Sequence, residues 1–327
     1  MTRTSRRLFV LGAAALCSSR LVPVLAQAQV AKVGFLFTPA RKTSQVPGLF
    51  SSAMRDIAWV EGGNLAVEWR FAEGRRERLP ELASDLVGQR VQAIVAPTNI
   101  EADAARRVTT SIPIVTLFAI DPVGSGFARS LARPGGNITG VLYAEPEFTA
   151  KSVQLLREAV PTIRRLGYLY PAGMVGIESF LREMESIGRK LGLAFFRYAM
   201  ERPEQLPELL DAMRNDGVDA LRLSYVGAVQ TATAQLLEFA ASHRIATSFT
   251  VPTPVERGGL MSYSPRLSEN AARGAALVDK LLKGASADQL AFEYPTRYEL
   301  VVNVKTARQL GFALPQSFLA SVDRLIE

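Results

Sequence analysis

The segment LPELASDLVGQRVQAIVA at 79–96 returns as LPELLDAMRNDGVDALRL at 206–223, 127 residues further on. VGFLFTP (33–39) is echoed by LGYLYPA (166–172), and IPIVTLFA (112–119) by IATSFTVP (245–252), both at an offset of 133. Three matches in the same order are the mark of an internal duplication. A duplicated chain must fold as two like units, which removes most single-domain topologies.

The pattern inside each unit says what those units are. KVGFLF, LAVEW, AIVAP, IPIVTLFA and ITGVLYA are short runs rich in β-branched and aromatic residues, and read as strands. Between them GLFSSAMRDIAWV, RLPELASDLVGQ and EADAARRVT carry apolar residues at helical spacing. Alternation of this kind predicts an α/β fold: two Rossmann-like lobes with parallel sheets, joined by a hinge.

Residues 1–28 read as an export signal rather than as part of either lobe. Arg6 and Arg7 stand ahead of the apolar run from Leu8 to Leu16, and Ala26-Gln27-Ala28 offers small residues for cleavage. The arginine pair followed by Leu-Phe suits the twin-arginine class, which implies a periplasmic protein. Arg3, Arg6, Arg7 and Arg20 leave with that segment, so the net charge of +7 falls to +3 and no basic stripe remains for nucleic acid. Cys17 leaves too, and the exported part then has no thiol. The remaining 299 residues suffice for two lobes of about 150 each.

In open α/β sheets, ligands sit beyond the carboxyl ends of the strands, against helix N-termini. The strand ends of the first lobe carry Phe37, Thr38, Thr98, Asn99 and Asp121. Those of the second carry Tyr170, Ser224, Tyr225 and Thr250, and Tyr143 follows ITGVL. The set is polar and aromatic with little charge, as expected of a recognition surface. Thr98 or Asn99 is expected to cap the following helix and to offer its N-terminus to an anion. Each of the three tyrosines could pack in the core or line the cleft.

DPVGSGFARSLARPGGNITG (121–140) lacks a third glycine where a dinucleotide fingerprint needs one, because Arg129 stands there, and it has no P-loop lysine. Asp121-Pro122 instead predicts a helix over 122–132 with Asp121 as its N-cap, either capping only or also bordering the ligand.

DIAWVEGGNLAVEWRFAEG (56–74), RLPELASDLVGQRVQAIVAP (78–97), the 121–140 stretch, GGLMSYSPRL (258–267), VDKLLKGA (278–285), YELVVNVKTARQLGF (298–312) and the closing LPQSFLASVDRLIE together resemble one family. It is that of ABC-transporter substrate-binding proteins related to tryptophan- and phenylalanine-binding proteins. The resemblance implies the type I periplasmic-binding-protein fold, with a small-molecule solute held between the lobes and an ABC permease of the inner membrane as partner. It further implies that LMSYS and the helix 268–283 return to the first lobe, giving lobes of 29–142 plus 258–284 and 143–257 plus 285–327. The family's amino-acid binders meet the ligand's ammonium with an acidic residue in the second lobe. Here the matching positions read Ser224-Tyr225 and Thr250-Val251-Pro252. That favours a neutral or weakly anionic solute with a planar apolar part.

Catalytic readings fare worse. His243 is the single histidine and is expected to cap a helix C-terminus, which leaves no His-based triad, no thiol nucleophile and no usual zinc site. Glu183 and Glu185, two apart on a helix, do not face each other. The expectation is a monomeric, cofactor-free binding protein that delivers its solute to an importer. The alternatives are a ligand sensor for a signalling receptor or an exported α/β enzyme.

Overall fold

A computed structural model describes residues 30–145 and 147–327, so the expected export signal at 1–28 lies outside the described residues. The first unit runs β1 (Ala31–Phe37), α1 (Val46–Asp56), β2 (Leu65–Phe71), α2 (Leu79–Gly88), β3 (Ala93–Val95), α3 (Asn99–Arg106), β4 (Ile114–Ala119) and β5 (Ile138–Leu142). The second runs α4 (Phe148–Ala159), β6 (Arg165–Pro171), α5 (Ile177–Lys190), β7 (Ala194–Met200), α6 (Leu206–Asn215), β8 (Ala220–Leu223), α7 (Gly227–Thr231), α8 (Thr233–His243), β9 (Ala246–Phe249), α9 (Thr253–Glu256) and β10 (Met261–Pro265). After these come α10 (Leu267–Leu282), β11 (Tyr298–Asn303), α11 (Val304–Leu310), α12 (Gln316–Leu319) and β12 (Arg324–Ile326).

One sheet has the order β2-β1-β3-β4-β5, and the other reads β7-β6-β8-β9-β10-β11-β12. The duplication read from sequence is therefore a duplication of topology: β1 and β6, α2–β3 and α6–β8, and β4 and β9 hold equivalent places. All pairings are parallel except that of β10 with β11. Central strands such as β1 and β8 are buried almost throughout, which is why they read as continuous apolar runs rather than as alternation. The α/β architecture of two Rossmann-like lobes stands as the sequence predicts.

The lobes exchange a helix. After β5 the chain crosses over and α4 packs against α5 in the second lobe. After β10 it crosses back, and α10 packs against α1 and β4 in the first. Buried Asn270 fixes α10 there, donating to the Leu117 carbonyl at 2.8 Å.

Three sequence expectations are corrected. LMSYS does not return to the first lobe: β10 pairs with β9 and β11 in the second sheet. It occupies the fifth place there, as β5 does in the first, so the lobe change falls one element later, at α10. Residues 285–294 stay with the first lobe instead of completing the second. Ala287 is buried in the core of that lobe, Thr139 donates to the Leu290 carbonyl at 2.7 Å, and Glu293 bridges Val141. The second lobe resumes only at β11. Finally, 122–132 is a run of turns, not a helix. Asp121 and Gly126 both adopt positive φ, 42° and 68°, and the glycines of this stretch disfavour a helix.

The three crossovers (142–148, 265–267 and 294–298) meet in an aromatic cluster. Phe148 lies edge-on to Tyr143 at 5.2 Å and stacks on Tyr263 and Tyr298 at 5.1 and 5.2 Å. Ring packing of this geometry gives the hinge a fixed hydrophobic pivot.

Candidate functional site

A cavity lies between the lobes at the carboxyl ends of the strands, where the open-sheet rule places ligands. From the first lobe it is lined by Phe37 at the end of β1, by Ser44, Gln45 and Val46 entering α1, and by Phe118 and Ile120 closing β4. Thr98 and Asn99 bring the N-terminus of α3 to it. From the second lobe come Tyr168 on β6, Met174 ahead of α5 and Phe180 on it, Ser224 and Tyr225 after β8, Gln230 on α7, and Thr250 after β9. Tyr143 and Pro265, on two crossovers, close the hinge side.

Thus Phe37, Thr98, Asn99, Tyr143, Ser224, Tyr225 and Thr250, named from sequence, come together around one space. Thr38, Asp121 and Tyr170 do not line it. Tyr170 stacks behind Tyr168 at 5.5 Å, so the lining ring lies two residues earlier on the same face of β6. Sequence reasoning also missed Ser44, Gln45 and Gln230, which no strand end announces.

The chemistry of each polar group follows from its partners. Glu101 is fully buried, and its two oxygens accept from the backbone N–H and hydroxyl of both Thr38 and Thr98. Thr98 and Glu101 form a capping box, so S/T-x-x-E at 98–101 was a legible signal for a buried carboxylate. With four donors to two oxygens, Glu101 has no acceptor capacity left for a ligand. Thr250 is engaged as well, accepting from the Tyr225 N–H at 2.9 Å.

Asn99 and Asp121 work between the lobes. The Asn99 amide accepts from Ile120 N–H at 2.8 Å and donates to Ser125 at 3.0 Å and to the Val175 carbonyl of the second lobe at 2.9 Å. One Asp121 oxygen closes its own turn, accepting from Gly124 N–H at 2.9 Å, while the other accepts from the Ser179 hydroxyl on α5 at 2.8 Å. Arg76 donates across to the Ala172 carbonyl. Gly176, at φ 81°, presses so close to Ser125 that a Cβ would collide with its hydroxyl. The lobes are therefore latched shut over the cavity.

Among the described residues, no charged side chain lines the cavity. The phenols are held in their neutral form: burial pushes Tyr168 up to about 12, against the pull of Arg222 and Ser224, and burial likewise raises Tyr143 and Tyr225. His243, at the end of α8, bonds the Phe239 carbonyl at 3.0 Å and stays away from the cavity, as its reading as a C-terminal cap requires. Among the described residues no cluster of three histidine, cysteine or carboxylate side chains could hold a metal, and no helix is long and apolar enough to cross a membrane.

The same fold is found in several known proteins. A domain from Streptococcus pneumonia solved in complex with L-Trp superposes with a TM-score of 0.84 at 20% identity, covering 90% of this chain and 99% of that one. A conserved domain protein from Vibrio cholerae gives 0.85 at 22%, covering 91% and 100%. The Tyrosine-binding protein of Clostridioides difficile is 20% identical over 261 residues, 80% of this chain and 75% of its own. The sequence profile described as ABC transporter substrate binding protein matches residues 29–326, nearly the whole chain. With the duplicated fold, the exchanged helices and the interlobe cavity already in place, that match makes this chain a member of the ABC transporter substrate binding protein family.

Proposed function

We propose that the protein is an exported receptor that captures a small organic solute between its lobes and hands it to an ABC permease of the inner membrane. The observation that supports this best is the cavity itself, lined from both lobes and shut by Asn99–Val175, Asp121–Ser179 and Arg76–Ala172. A ligand that touches both lobes stabilises the closed form, and the closed form is what a membrane partner can recognise. Ligand contacts come from Phe37, Thr98, Tyr143, Tyr168, Ser224 and Tyr225. Thr38, Asn99, Asp121 and Tyr170 shape or latch the cleft rather than touch the solute.

The ligand of this reading is planar and partly apolar, since Phe37, Phe118, Tyr143, Tyr168 and Tyr225 dominate the walls. A zwitterionic amino acid is disfavoured, because its buried ammonium would meet no free carboxylate. The protein acts as a monomer, without a cofactor and without catalysis; a cavity free of histidine, cysteine and carboxylate suits binding better than chemistry.

Differential scanning of the mature protein against aromatic acids, amides, amino acids, nucleosides and sugars tests the reading. A true ligand at 100 times its Kd adds about 2.7 kcal/mol of stability. No shift with any class, or turnover of a bound compound, would overturn it. N-terminal sequencing of the exported protein should begin near Gln29, and recovery of a chain still starting at Met1 would remove the export step.

A further inference from the structure

Arg222 is 1% exposed in the middle of β8. Its Nη1 has one long contact, 3.4 Å to the Ser248 hydroxyl, while Nε and Nη2 have no partner among the described residues. None of the ion pairs among those residues includes it. The ring of Phe148 lies 5.7 Å from its guanidinium carbon, a cation–π contact that offsets only part of the cost of burying a charge.

Its surroundings tie it to the cavity. Tyr168 is its register partner on β6, and Ser224 stands two residues further on, just past the end of β8. The Arg222 guanidinium pulls on the buried Tyr143 hydroxyl both by its charge and as a hydrogen-bond donor, although the two do not reach full hydrogen-bond geometry. All three line the cavity. Arg222 itself does not line the cavity, so its charge acts from behind the wall formed by Tyr143, Tyr168 and Ser224, with Nε and Nη2 as the guanidinium edge suited to a carboxylate. On the opposite lobe the buried carboxylate of Glu101 is saturated by Thr38 and Thr98, so the two buried charges beside the cavity are not equivalent.

We propose that Arg222 is the charge-selecting residue of the cleft and that the solute is an organic monoanion, an aromatic or arylalkyl carboxylate without an amino group. The carboxylate enters at the Tyr143–Ser224 end and is balanced by Arg222, and the ring lies among Phe37, Phe118 and Tyr225. This rests on the interlobe cavity being a solute site, as proposed above. The polarity is specific: a carboxylate faces the second lobe, while the Glu101 and Asp121 carboxylates of the first lobe are already engaged and leave an ammonium without a charged partner there.

Matched probes test it by calorimetric titration: 3-phenylpropionate, 3-phenylpropanamide and L-phenylalanine, with the equivalent sets built on 4-hydroxyphenyl and indole rings. In each set that binds, the acid should bind at least about 30-fold more tightly than the amide and the amino acid, as befits a desolvated charge pair. Arg222→Met should abolish that preference without lowering the Tm of the unliganded protein, because it removes an unpaired charge. Arg222→Lys should retain most of it. Amides or amino acids binding as tightly as acids would overturn the inference while leaving the solute-binding reading intact. So would an Arg222→Met variant that keeps the acid preference. Failure of every probe set and of the wider ligand scan would bring down the solute-binding reading, and the inference with it.

Discussion

The side-chain amide of Asn99 donates to the carbonyl of Val175 at 2.9 Å, joining the first turn of α3 to the loop ahead of α5 across the cleft. The same side chain also anchors Ile120 and Ser125 within its own lobe. A residue at a helix N-terminus beside a ligand cavity thus spends its hydrogen bonds on closure.

Asn99→Ala should shift the lobes toward an open form. One such bond contributes about 0.5–1.5 kcal/mol net, so cleft ligands should bind roughly two- to tenfold more weakly. Small-angle scattering should show a larger radius of gyration for the unliganded variant. An unchanged radius together with unchanged affinity would show that the contact does not hold the lobes.

Gly176→Ala should block closure more completely. Its φ of 81° disfavours a side chain, and the new Cβ would strike the Ser125 hydroxyl from the other lobe. Opening relieves that collision, so the Tm should fall by a few degrees only, while ligand-induced compaction disappears.

Thr98→Ala is expected to cost stability as well as binding. It removes a hydroxyl from the fully buried Glu101, and a buried acceptor left short of a donor costs about 1–3 kcal/mol. Thr98→Ser should restore most of it. Tyr225→Ala, by contrast, should weaken cleft ligands with a shift of only a few degrees in Tm. Equal melting losses for the two alanine variants would contradict this division.

The third crossover should be sensitive to acid. Glu269 on α10 accepts from Thr296 N–H at 3.1 Å, Arg297 N–H at 2.8 Å and Arg273 Nε at 3.0 Å. Burial resists its ionisation, but hydrogen bonds from Thr296, Arg273 and Arg297 outweigh burial and hold the carboxyl below its ordinary value of 4.5. A depressed carboxylate contributes stability above its unfolded pKa, and that contribution is lost as pH falls through the folded value. The Tm difference between the parent and Glu269→Gln should therefore be largest near neutrality and shrink below pH 4.5. A difference independent of pH would refute it.

The doubly wound fold was legible because local pattern carries it. Continuous apolar strands, amphipathic helices and the offset repeats at 79–96 and 206–223 state the two lobes without reference to distant residues. The strand-end rule then placed Phe37, Thr98, Tyr143, Ser224, Tyr225 and Thr250 at one opening, since parallel strands send all their carboxyl ends the same way.

What sequence could not decide depends on neighbours far along the chain. The lobe to which β10 belongs is settled by its pairing with β9 and β11, and nothing within MSYSP encodes those partners. Tyr168 rather than Tyr170 lines the cavity, although both lie on one face of β6 and stack on each other, a choice that alternation along the strand cannot make. Asp121 heads a turn rather than a helix, since it and Gly126 take positive φ, and one of its carboxylate oxygens is held by Ser179, 58 residues away. Arg222 reads in sequence as one polar residue within an apolar strand. Only burial of the sheet, and the lack of any carboxylate paired with it among the described residues, turns that residue into an unbalanced charge, because electrostatic cost is a property of surroundings and not of composition.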